Sequence, residues 1–214
     1  MIQSIFLVAF VFVLIPAVFS GAKIVYSEET RKSGTPPLKL LLIIDPEFGN
    51  NQEFTGKTKY RAKDASDFFK DIFFEASHTF HSETGKGLTL SSTEHAIYNP
   101  SPRAGELFLN TERIIKWLET ESEKHQGSII VFVTDRFLFS PLNYNTWSGY
   151  GDSGFLFFRY YGYDIPYTIE SFLHELGHAC GAKHTLDENS IMNPDVFGIR
   201  TYGDQRTVIQ QRCG

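Results

Sequence analysis

His174-Glu175-Leu176-Gly177-His178-Ala179-Cys180-Gly181-Ala182-Lys183-His184 is the stretch on which the reading of this chain turns. At 3.6 residues per turn, His174 and His178 lie about 40° apart around a helix, on one face and one turn apart. Two imidazoles so placed reach one metal ion. Glu175 directly follows the first, so its carboxylate projects beside such an ion rather than onto it, where it can take a proton from an activated water. Gly181 tolerates the left-handed backbone with which a chain leaves a helix, and the chain can then swing back to present His184 as a third ligand. Three imidazoles suit zinc and leave a fourth position open, the arrangement of a catalytic rather than a structural site.

The alternative is a surface helix that carries two histidines and a glutamate by accident. Requiring Gly181 and His184 as well argues against it, since each fixed position matches by chance about once in twenty. The rest of the helix agrees. Ile169, Phe172, Leu173, Leu176 and Cys180 recur at helical spacing and form an apolar stripe roughly opposite the arc of Glu175 and His178. Pro166 suits the first turn. Cys180 therefore points at the core and is not expected to be a fourth ligand.

Upstream, Leu38 to Ile44 is an aliphatic run between Pro36-Pro37 and Asp45-Pro46, which predicts a strand buried on both faces. Ala65, Phe68, Phe69, Ile72, Phe73 and Ala76 predict an amphipathic helix. A β-leaning stretch covers Leu88 to Tyr98, a second helix begins near Thr111 and buries Ile114, Ile115 and Leu118, and Ser128 to Thr134 is again a buried strand. Gly154 to Tyr160 offers a further one. Strand, helix, strand, helix, strand implies a parallel α/β layer with right-handed crossovers. Ser140 to Gly162 differs in texture, being rich in Tyr, Phe, Trp, Gly and Asn.

The 214 residues are 42% apolar and 21% charged, with two cysteines. That is the profile of one globular domain, not of a disordered chain, a collagen-like chain or a disulfide-dense scaffold. With 20 basic against 25 acidic residues the net charge is −5, which argues against nucleic acid as a partner. Residues 1–20 carry no charge; Ile5 to Ile15 is a short apolar run, Pro16 breaks it, and Val18 and Ser20 suit the −3 and −1 positions of a cleavage site. A signal peptide over 1–20 is expected, with a secreted, extracellular product that has no stable membrane association. An uncleaved anchor or a buried N-terminal element is the alternative. Residues 21–37 read as a short leader, and 38–214 as the catalytic domain.

His174 to His184 resembles the zinc-binding signature of the metzincin metalloendopeptidases, and Ser190-Ile191-Met192-Asn193-Pro194 looks like their Met-turn. Within that superfamily the chain is most similar to the reprolysin (adamalysin) catalytic domain, strongly over residues 170–194 and by pattern elsewhere from Leu38 to Gly214. The resemblance implies a zincin-like α/β fold: a twisted, mostly parallel sheet with an antiparallel edge strand, an active-site helix, a Met-turn and a short C-terminal helix. It implies one zinc ion held by His174, His178 and His184, with Met192 beneath the imidazoles and Pro194 walling the pocket for the residue after the scissile bond. It also draws attention to Cys213, and so to a Cys180–Cys213 disulfide tying the zinc helix to the last helix; two separate buried thiols are the alternative. Reprolysins carry Asp straight after the third histidine, where this chain has Thr185, and their cysteine frameworks are richer.

The expected function is that of a secreted zinc endopeptidase acting on protein or peptide substrates as a monomer. Zinc would lower the pKa of a water from about 16 toward 7, with Glu175 as general base and then proton donor to the leaving amine. Substrate would lie extended along an edge strand shaped by Ser140 to Gly151. The alternatives are a secreted, non-catalytic binding protein or antagonist on the same fold, and a non-proteolytic zinc hydrolase. Residues 21–37 contain no cysteine to cap the metal, so the enzyme is either active as made or blocked by a leader side chain such as Glu28 or Glu29. His78, His81, His95 and His125 are expected to be solvated rather than ligating.

Overall fold

A computed structural model of the chain describes residues 23–27, 36–45, 65–92, 108–161, 164–195, 197–198 and 201–213. The expected signal peptide, Glu28, Glu29 and His95 lie outside these residues. In chain order the strands are β1 (Lys23–Ser27), β2 (Leu38–Ile44), β3 (Leu88–Ser92), β4 (Phe108–Asn110), β5 (Ile129–Thr134), β6 (Phe137–Ser140), β7 (Asn145–Trp147), β8 (Gly149–Asp152) and β9 (Phe155–Arg159). The helices are α1 (Ala65–Thr84), α2 (Thr111–Lys124), α3 (Ile165–Ala179) and α4 (Arg206–Cys213).

The unbroken apolar runs of β2 and β5 pair in parallel, from Leu40 opposite Ile129 to Ile44 opposite Val133. Their side chains alternate between two cores. Leu40, Leu42, Val131 and Val133 join the face covered by α1, α3 and α4, whereas Leu41, Ile43, Ile130 and Phe132 join the face covered by α2. A strand covered on both faces has no solvent side on which to place polar residues, which is why these runs do not alternate in the sequence. The main sheet has the order β1-β3-β2-β5-β9-β8. Its central pairings are parallel, and β1 and β8 are antiparallel to their neighbours at the two edges. This is the expected α/β architecture with an antiparallel edge strand. A small second sheet, β4-β6-β7, lies beside α2 and delivers the chain into β8.

Two elements exceed the sequence reading. Helix α1 runs past Ala76 to Thr84, and its added turns bury Phe80 completely. Strand β1 comes from the segment read as a leader and pairs with β3 at the edge of the sheet opposite β8. No helix among the described residues is long and apolar enough to cross a membrane.

Helix α3 begins where Asp164 accepts the backbone N–H of Tyr167 at 2.9 Å, with Pro166 in the first turn. Ile169, Phe172, Leu173, Leu176 and Cys180 are all buried on its core side. Cys180 and Cys213 form a disulfide that joins the end of α3 to the end of α4 across a sequence separation of 33. On chain-entropy grounds a loop of that length contributes about 3–4 kcal/mol. The double replacement Cys180→Ala/Cys213→Ala is expected to lower unfolding free energy by about that amount in urea titration; an unchanged midpoint would show that the bridge constrains nothing.

Candidate metal centre

Where α3 ends, the backbone folds back on itself. Gly181 takes a φ of +85°, its N–H donates to the His178 carbonyl at 2.7 Å, and the N–H of Ala182 donates to the Gly177 carbonyl at 2.9 Å. This pair of bonds satisfies the last carbonyls of the helix and turns the chain so that His184 returns to the face that carries His174 and His178. Only glycine takes such a φ without strain.

The three imidazoles converge. The Nε2 atoms of His178 and His184 each lie 3.1 Å from Nε2 of His174, and one ligand atom from each ring falls within 4.8 Å of the others. Nitrogens bound to one tetrahedral zinc ion at about 2.0–2.1 Å stand about 3.3 Å apart, so this donor set fits such an ion. The outer nitrogens agree with it. Nδ1 of His174 donates to the Ile191 carbonyl at 2.7 Å and Nδ1 of His178 donates to the Ala182 carbonyl at 2.9 Å. A proton held on Nδ1 leaves the Nε2 lone pair pointing at the common centre. Burial pushes His174 down to about 4 and lowers His178 as well, against the opposing pull of those carbonyls, so both rings are neutral and ready to ligate at neutral pH.

Met192 is fully buried and packs against Gly177, where an added Cβ would stand 2.4 Å from its Sδ. Its turn is laced by the N–H of Met192 to Ser190 Oγ at 3.2 Å and the N–H of Asn193 to the Ser190 carbonyl at 3.0 Å. The same turn supplies the Ile191 carbonyl that orients His174, so it supports the cluster through its backbone. Thr185, after the third histidine, gives its hydroxyl to Asp204 at 2.8 Å and its N–H to the Met192 carbonyl at 3.2 Å.

Glu175 is buried, 6% exposed, beneath the edge strand β8. Burial alone raises its carboxyl to about 8, and a dication beside it would pull that value back down. Pro194 lines the same cavity of about 100 Å³ as His174 and Glu175, together with Tyr167, Asn193 and Phe197. The sequence reading did not single out Tyr167 and Phe197, whose rings meet at a tilt with centroids 5.3 Å apart in the cavity lining. It also passed over Tyr202, whose fully buried hydroxyl donates to the Leu173 carbonyl at 3.0 Å behind the helix. A lone aromatic far from the motif carries no local signal of such a role. His78, His81 and His125 lie outside the cluster, and His78 and His81 are exposed.

The fold is similar to that of archaemetzincin from Methanopyrus kandleri, with a TM-score of 0.52 and 14% identity over 85% of this chain and 90% of that one. Fainter likenesses, each at 14% identity, are to a zinc-dependent peptidase from Methanocorpusculum labreanum, with a TM-score of 0.48 over 80% of this chain and 99% of that one, and to metalloproteinase-II from Bacteroides fragilis, with a TM-score of 0.49 over 82% and 52%. No family model and no curated protein matches the chain. The archaemetzincin likeness is one of fold: a zincin-like α/β architecture with a mostly parallel sheet.

Strand β8 meets α3 backbone to backbone at Gly151, where a Cβ would lie 2.1 Å from the Glu175 carbonyl oxygen and 3.0 Å from the His178 Cβ. Nothing there is the free end of a side chain, so relief requires the strand and the helix to part. Gly151→Ala is expected to lower stability by about 1–3 kcal/mol, measured by chemical denaturation. A stability equal to that of the parent protein would contradict the contact.

Proposed function

We propose that this chain is a zinc-dependent endopeptidase. The observation that carries the reading is the convergence of three Nε2 atoms whose outer nitrogens are tied to backbone carbonyls, beside a buried glutamate and a cleft. His174, His178 and His184 would hold one zinc ion. When bound, zinc supplies Lewis-acid polarisation of a scissile carbonyl and acidification of a water.

The remaining work falls to the chain. A carboxylate oxygen of Glu175 takes the proton of the attacking water and passes it to the leaving amine. Strand β8 is the last strand of its sheet among the described residues, so one row of its backbone groups faces away from β9. An extended peptide adding to that row would be aligned by main-chain hydrogen bonds, which fits protein and peptide substrates of varied sequence. The cavity bounded by Pro194, Tyr167 and Phe197 would receive a side chain next to the scissile bond.

A secreted, extracellular setting is part of the proposal. It is supported by the apolar, uncharged first twenty residues and by the Cys180–Cys213 disulfide, since such bridges persist in oxidising compartments. The structural likeness is to an archaemetzincin and lends no support to the reprolysin group, so the reading is framed at the level of the metzincin-like fold.

Metal analysis of the purified protein is expected to find about one equivalent of zinc, lost in His178→Ala. Glu175→Gln is expected to keep the metal while losing at least about 100-fold in turnover of an unfolded protein substrate. Wild-type cleavage should stop on addition of a chelator. Zinc-free protein with full activity would sink the reading, whereas zinc-loaded protein without any cleavage would favour a binding role on the same fold.

A further inference from the structure

Gly149 and Gly151 stand at alternate positions of β8, and neither has a positive φ. Their backbone conformation is open to any residue, and glycine in a strand sacrifices packing and chain entropy. The reason for glycine at these positions is therefore spatial. At Gly151 the obstacle to a side chain is the helix backbone. At Gly149 it is different: an added Cβ would stand 2.7 Å from Cγ, 2.7 Å from Oε1 and 2.9 Å from Cδ of Glu175. All three nearest atoms belong to one side chain, beyond its own Cβ. A methyl group there leaves the strand and helix backbones where they are and instead displaces the carboxylate.

We propose that Gly149 is a positioning residue for Glu175, the missing side chain of the edge strand being the space that holds the carboxylate in its working place under β8. The proposal rests on the peptidase reading for its catalytic consequence, though not for the contact itself. Glycine at 149 lets the strand that would align the substrate lie directly on the group that would move the proton. The distance between peptide backbone and general base is thereby set by two rigid elements rather than by a loop. Tyr150, between the two glycines, stacks on Trp147 at 5.7 Å and on Phe157 at 5.7 Å, which anchors the strand from its other face. The strand cannot easily rise to make room.

The test compares Gly149→Ala in two backgrounds. In the otherwise wild-type protein the variant is expected to keep about one equivalent of zinc and a KM within about twofold, with kcat down about 100-fold, the effect of a misplacement near 1 Å. Its urea midpoint should fall. In the Glu175→Ala background, where the three opposing atoms are gone, the same substitution should leave the urea midpoint unchanged. An unaltered kcat in the first background would overturn the proposal, as would an equal fall of midpoint in both. Absence of chelator-sensitive cleavage by the wild-type protein would remove the peptidase reading alone. The pair of midpoints would then still decide, coupling upholding Gly149 as the residue that places the carboxylate and additivity overturning it.

Discussion

Two hydrogen bonds from imidazole to backbone, His174 Nδ1 to the Ile191 carbonyl and His178 Nδ1 to the Ala182 carbonyl, are the constraint to which the rest of the structure answers. Each fixes a tautomer and a ring direction, and each requires a carbonyl brought from outside the helix. Ala182 is available only because Gly181 turns the chain out of α3, and Ile191 only because the turn around Met192 is pressed against Gly177. The fold places both acceptors by backbone, so the ring orientations do not depend on any neighbouring side chain keeping its rotamer.

That arrangement demands an unusually thin helix face. Gly177 admits Met192 from below, while Gly149 and Gly151 on the edge strand admit Glu175 and the backbone of α3 from above. Close approach on both sides leaves Glu175 almost without solvent and holds the rings of His174 and His178 partly dry. The pKa directions follow from this packing: burial disfavours charge, lowering the two histidines and raising the glutamate. Neutral imidazoles offer free Nε2 lone pairs to a dication, which would in turn draw the Glu175 carboxyl back toward its ionised form.

Much of this was legible in the sequence, and the limits are physical. The 3.6-residue period fixed the face shared by His174, Glu175 and His178, and Gly181 signalled the turn that returns His184, because local backbone geometry carries both. The alternation of strand and helix through β2, α1, β3, α2 and β5 announced the parallel sheet, and the β9 segment stood beside it as one further strand. Gly149 was readable only as part of an aromatic and glycine-rich stretch, since its significance lies in a contact with a residue 26 positions on, 175 − 149, that no local pattern records. Strand β1 was likewise missed: its apolar run is only the three residues Ile24, Val25 and Tyr26, set in an otherwise polar segment, and its pairing partner β3 begins 65 positions on, 88 − 23. Helix α1 ran longer than its periodic segment because Phe80 continues the buried stripe after a break of polar residues.

A helix that gives one face to polar chemistry must be held by its other face. Ile169, Phe172, Leu173 and Leu176 provide that hold along most of α3, and the stripe ends on Cys180, at the end that carries His178 and the reversing turn. There the covalent bridge takes over. Cys180 occupies the next core-facing position and is bonded to Cys213, and the guanidinium of Arg212 lies so close over Gly181 that a Cβ there would meet it at 2.5 Å. Helix α4 thus closes over the end of α3, one residue before the backbone begins its return to His184. The two cysteines of the chain are spent at the point where fraying of the helix would separate the second and third imidazoles.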